Sequence, residues 1–155
     1  MSGRATLGSR WLQALVLLSL LAGAVIWISG SKQGSTDPKT LRIQVGELRS
    51  QAAEGQFLAE LALAGSLTHN LISIEASTQE ENSRALLQTL LSADATAELA
   101  PKVAQGKELA GRLNTDLQRL SGSFDNPNEL ESLRDDFVQV LSQLTSLEAS
   151  LKQRG

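Results

Sequence analysis

Eighteen consecutive residues without a charge, Trp11 to Ile28 (WLQALVLLSLLAGAVIWI), constrain what this chain can fold into more than any other stretch. As a helix the run reaches about 27 Å, roughly the hydrocarbon thickness of a bilayer. Leu12, Leu15, Leu18, Leu21, Val25 and Ile28 supply much of its apolar bulk. Trp11 and Trp27, the only two tryptophans, stand at its ends, where amphipathic rings prefer the membrane–water boundary. The run reads as a single-pass anchor. It divides the chain into a cytoplasmic N-terminus at 1–10, the transmembrane anchor at 11–28, a flexible tether at 29–37 and an extracytoplasmic domain at 38–155.

Charge sets the orientation. Arg4 and Arg10 precede the run, and all 17 acidic residues follow it, the first being Asp37. The positive-inside bias therefore keeps the N-terminus in the cytoplasm of an inner membrane and the bulk of the chain on the periplasmic side. A cleaved signal peptide is the competing reading, because Ala22-Gly23-Ala24 has the small-x-small pattern of a cleavage site. Cleavage there leaves a mature end beginning VIWISG, an unanchored apolar stub, whereas an uncleaved helix uses the same residues to finish its span. The signal anchor is preferred on that ground. Ser29 to Thr36 (SGSKQGST) is rich in glycine and serine and reads as a tether of about 15 to 20 Å reach.

The remainder is all-α by composition and periodicity. Aromatic content is 3% with no tyrosine, while leucine, alanine, glutamine and glutamate abound, so helix formers dominate. Asp37-Pro38 has the form of an N-cap followed by proline at the first helical position. From there Leu41, Val45, Leu48, Ala52, Gly55, Ala59 and Ala62 recur at four-three spacing, a coiled-coil seam that turns small halfway along. Beyond Phe57 the chain is apolar nearly all round, through Leu58, Leu61, Leu63, Leu67, Leu71, Ile72 and Ile74, the pattern of a buried helix. Two readings stay open here: a turn at Gly65-Ser66, or a helix continuing to Glu75. Capping-box spacing at Ser77/Glu80 and Thr78/Glu81 predicts a helix start near residue 78.

A third helix has Pro101 in its first turn, a seam of Leu99, Val103, Gly106, Ala110, Leu113, Leu117 and Leu120, and a stop at Ser121-Gly122-Ser123. Its Gly106 and Ala110 match the small residues Gly55, Ala59 and Ala62, which predicts close packing of these two helices or an interaction groove between them. The last helix opens on Asn126, Pro127 and Glu129, a capping box, and closes on Lys152 and Arg154. Its seam, Leu130, Leu133, Phe137, Val140, Leu144, Leu147 and Leu151, has no polar interruption. Burying these side chains at about 1.5 to 3 kcal/mol each is worth roughly 10 to 20 kcal/mol before entropy. Short connections make the whole an antiparallel, up-down bundle of about four helices.

The chemical inventory argues against an enzyme. With no cysteine there is no disulfide framework, thiolate metal site or covalent haem. His69 is the only histidine and Met1 the only methionine, and Ser66 stands where a Glu-x-x-His di-iron motif needs its glutamate. Many serines share that one histidine without a nucleophile elbow, and no phosphate-binding glycine loop occurs. Glu80-Glu81 and Asp135-Asp136 are consecutive and splay around a helix as solvated faces. No catalytic residue, cofactor or metal is expected. The residues after 30 carry 12 basic against 17 acidic side chains, which argues against nucleic acid as the natural partner.

The favoured reading is a structural or interaction module, an accessory subunit that docks on protein partners in the same membrane or on a second copy of itself. The alternative is a periplasmic sensor or ligand-binding bundle signalling through a partner. On that side, Gly46-Glu47-Leu48-Arg49 is similar to the start of the sensor domains of type IV pilus chemoreceptors. A chaperone or holdase is a weaker third reading and needs an exposed apolar groove.

Overall fold

A computed structural model describes residues 36–152. They form four α-helices and no strand: α1 Pro38–Leu63, α2 His69–Leu91, α3 Ala100–Leu120 and α4 Pro127–Lys152. The expected anchor, with Trp11, Leu12, Leu15, Leu18, Leu21, Val25, Trp27 and Ile28, lies outside the described residues. Among the described residues, no helix is long and apolar enough to cross a membrane.

Each terminus has a local cause. The Asp37 side chain accepts from the Thr40 N–H at 2.6 Å and Pro38 takes the first helical position, so α1 starts where proline costs nothing. The Thr40 amide also holds the Asp37 carboxyl below the ordinary carboxylate range. At its other end the Gly65 N–H bonds to the Ala62 carbonyl and the Ser66 N–H to the Leu61 carbonyl, each at 3.0 Å, around Gly65 at φ +60°. This left-handed glycine closes α1, and the open choice at Gly65 is settled as a turn. α2 then begins at His69, not near residue 78: Thr78 lies inside it, its hydroxyl donating to the Ile74 carbonyl at 2.9 Å. The capping-box letters there are ordinary mid-helix residues.

The stop after α3 falls where expected but needs no left-handed glycine, since Gly65 is the only glycine at positive φ among the described residues. Ser121 Oγ donates to the Gln118 carbonyl at 2.8 Å and Ser123 Oγ to that of Arg119 at 2.7 Å, satisfying carbonyls that the helix end leaves open. Asn126 Oδ1 accepts from the Glu129 N–H at 3.3 Å, capping α4. Glu129 does not return the bond as a capping box requires; its carboxylate is taken by Arg119.

The helices alternate in direction. α1 lies mainly against α4 and α2 mainly against α3, with α1 and α3 across the diagonal. All seven seam positions of α4 are buried, as are Leu41, Val45, Leu48, Ala52, Gly55 and Ala59 of α1, with Ala62 half-buried at the end. Thr36 bridges to Ala95 in the α2–α3 connection, its N–H reaching the Asp94 carbonyl at 2.8 Å, so the entering chain is tied to the bundle.

Candidate interaction surfaces

The small residues do not form one shared site. A Cβ built on Gly55 falls 2.6 Å from Phe137 Cε1, so the close approach at this level is made by α4 and not by α3. Gly106 sits instead by Leu90 of α2 and Leu41 of α1, at ordinary distances of 3.9 and 4.0 Å from a built Cβ. Ala59 and Ala110 are fully buried core. Gly55, Ala59, Gly106 and Ala110 are thus inside the bundle, and Ala62 is half-buried at the end of α1.

Polar residues collect at two of the four lateral interfaces. Between α1 and α2, Gln79 Nε2 donates to Glu54, and Gln44, Glu47, Gln51, Gln79 and Ser83 each bury a side-chain oxygen with no hydrogen-bond partner. Burial pushes the carboxyl of Glu47 up; burial and the neighbouring Glu75 carboxylate push that of Glu54 up. Between α3 and α4, Arg119 gathers three carboxylates: Glu129 at 2.6 Å, Asp136 at 3.2 Å and Asp116 at 3.3 Å. Asp116 is only 7% exposed, and burial, with Asp136 beside it, raises its carboxyl to about 6 against the partial offset of Arg119 and Arg112. Arg112 donates to Gln143 and Gln139, at 3.1 and 2.9 Å. A shallow pocket of about 300 Å³ opens there, lined by Gly111, Arg112, Thr115, Asp116 and Asp136. Neither interface was foreseen from the sequence, where period-seven reading looks only at apolar positions.

A second pocket, of about 290 Å³, lies at the end where the chain enters the bundle, with Thr36, Pro38, Leu99, Lys102 and Leu151 among its walls. Lys102 Nζ is spent on the Ser150 carbonyl at 2.7 Å. His69 stacks tilted on Phe124, ring centroids 4.4 Å apart, and no metal-capable group of three His, Cys, Asp or Glu occurs among the described residues.

The stretch after Phe57 is not buried all round. Phe57 is 41% and Ile74 63% exposed, and Leu61, Leu63, Leu67 and Leu71 are half-buried. Apolar residues crowd here because both helix ends and their turn fall within it, and a two-helix corner has too little core to take them. Ile43, Leu91 and Val138 are the other large apolar side chains left exposed among the described residues. Within Gly46-Glu47-Leu48-Arg49, Leu48 is core and Arg49 pairs with Glu148 at 3.1 Å, both structural uses. Compared with known protein families, curated proteins and solved structures, the chain matches none.

Proposed function

We propose that this chain is a non-enzymatic accessory subunit, an acidic helical bundle held by the Trp11–Ile28 span at the outer face of the inner membrane, where it docks on proteins of a membrane-associated assembly. One observation carries the reading. Phe57 and Ile74 are left in solvent on a bundle whose core is already complete without them. Ile74 at 63% exposure gains little from folding, and large apolar side chains left in solvent together mark a contact surface. The anchor rests on its 18 uncharged residues and the tryptophans at their ends.

The test is recovery of the full chain from its own membrane in mild detergent through an affinity tag. A stoichiometric protein partner is expected. Recovery of the chain as a bare monomer at every detergent tried overturns the reading.

A second reading, a sensor signalling through a partner, is supported by the polar α1–α2 interface, where five side-chain oxygens are buried without a hydrogen-bond partner. It requires a small molecule that raises the melting temperature of the bundle, since a ligand for the native state must do so. A thermal-shift screen without a single such compound removes it.

A further inference from the structure

The net charge of the bundle sits at one end. The α1–α2 and α3–α4 turns and the helical turns flanking them, residues 54–84 and 112–137, hold eleven carboxylates against four arginines, a net of −7. The rest of the described chain carries six acidic and six basic side chains and is neutral. The exposed apolar residues Phe57 and Ile74 lie at that acidic end. The Gln79–Glu54 bond sets residue 54 opposite 79 in antiparallel helices, so Phe57 and Leu61 lie opposite the 71–76 stretch of α2. Phe57, Leu61, Leu71 and Ile74 thus share one corner of the α1–α2 hairpin. Glu54 and Glu75 stand beside it, close enough to repel each other and in no ion pair, while Glu60 lies on the α4 side, near Arg134.

We infer that this corner docks a basic amphipathic helix of a partner protein, apolar side chains on Phe57, Leu61, Leu71 and Ile74 and lysines or arginines toward Glu54 and Glu75. Charge selects among the possible occupants. A second copy brings its own −7 to the same place and is repelled, and anionic lipid headgroups are repelled for the same reason. A helix laid in a groove on apolar anchors, with opposite charge at the rim, meets both features. The pockets at Asp116 and Lys102 offer no comparable apolar anchor.

The inference rests on the interaction-subunit reading, and the experiment separates the two. In cells making the full chain, a photo-crosslinking amino acid is placed in turn at positions 57, 74, 43, 91 and 138. Adducts at 57 and 74 to one protein are expected, with the joined peptide, read by mass spectrometry, net basic and apolar on one helical face. Ile74→Ser with Phe57→Ser is expected to lower the co-purified partner about tenfold, as loss of a buried anchor does. Glu75→Lys is expected to lower it several-fold while removing a like-charge contact with Glu54, so the bundle stays folded. Raising salt from about 0.05 to about 0.3 M should weaken the complex in the same direction. Adducts at 57 and 74 to a second copy, to lipid or to an acidic or uncharged segment overturn the inference. Adducts only at 43, 91 or 138 overturn it while leaving the interaction-subunit reading standing, and no adduct anywhere with no partner co-purifying overturns both.

Discussion

Gly55 and Gly46 lie nine residues apart on one helix and answer the same substitution in opposite ways. At Gly55 a new Cβ falls 2.6 to 3.0 Å from three atoms of the Phe137 ring, which is fully buried and cannot swing aside. Gly55→Ala is expected to destabilise the bundle by about 1 to 2 kcal/mol, overpacking outweighing the helix-propensity gain. At Gly46 nothing lies within 4 Å, so Gly46→Ala keeps that gain, about 0.5 to 1 kcal/mol. Urea unfolding of both variants checks the pair, and Gly55→Ala with Phe137→Leu should recover most of the loss. Legibility differed by residue in the same physical way. The four-three spacing marked Gly55 as a seam position, because burial repeats with the helix; that α4 supplies the neighbour is a property of the assembled bundle, which no local pattern carries. Glu129 is a like case: its spacing from Asn126 marked a capping box, yet Arg119, ten residues back, offered a charged partner and won its carboxylate.

At the scale of elements, the seams of α1, α3 and α4 were readable because leucines at heptad spacing admit one buried face. The start of α2 was not, because Gly65 at φ +60° closes α1 by backbone geometry and the helix resumes four residues on without a side-chain cap, Thr68 making none. The polar α1–α2 interface carries a prediction. Gln51 is 6% exposed and its buried oxygen has no partner, so Gln51→Leu is expected to stabilise by about 1 kcal/mol, because an orphaned buried acceptor is replaced by an apolar side chain of similar size. Thermal melts of Gln51→Leu and of Gln44→Leu, which buries the same kind of orphan, measure this. A loss of stability in both would show these oxygens to be satisfied by bound water. At the α3–α4 interface, Asp116 titrates at about 6 in the folded bundle against 3.8 for the free side chain. A raised carboxylate binds its proton more tightly when folded, so its contribution favours folding below about pH 4 and is lost as pH climbs to about 6. Glu47 and Glu54, also raised, act in the same direction. The bundle is therefore expected to melt higher at pH 5 than at pH 7.5. Asp116→Asn should narrow that gap by raising the pH 7.5 value, by about 1 to 2 kcal/mol after allowance for screening by the half-exposed Arg119.

For the whole molecule the governing question is whether the acidic bundle is held at a membrane or released from it, and Leu18 and Ala24 separate the two. If the Trp11–Ile28 run is a retained span, Leu18 lies near its midpoint, where arginine costs about 2.5 to 3.5 kcal/mol of insertion free energy. Leu18→Arg is then expected to move the full chain from the carbonate-resistant membrane fraction to the soluble one, while the wild-type chain stays in the membrane and retains the residues before Val25 by intact-mass measurement. If the run is a cleaved leader, the mature wild-type chain begins at Val25, is soluble, and Ala24→Leu, which spoils the small-x-small site, converts it to a membrane-bound form. A mature mass beginning at Val25 removes the anchor outright. Retention matters for docking because, if the glycine- and serine-rich sequence after Ile28 acts as a tether, its reach of about 15 to 20 Å keeps the bundle near the span. Confinement raises the effective concentration of the α1–α2 corner for any partner in the same membrane, so a weak apolar patch can suffice when anchored. The Leu18→Arg chain should therefore lose its partner even with Phe57 and Ile74 intact, and co-purification of both variants side by side reads out that dependence.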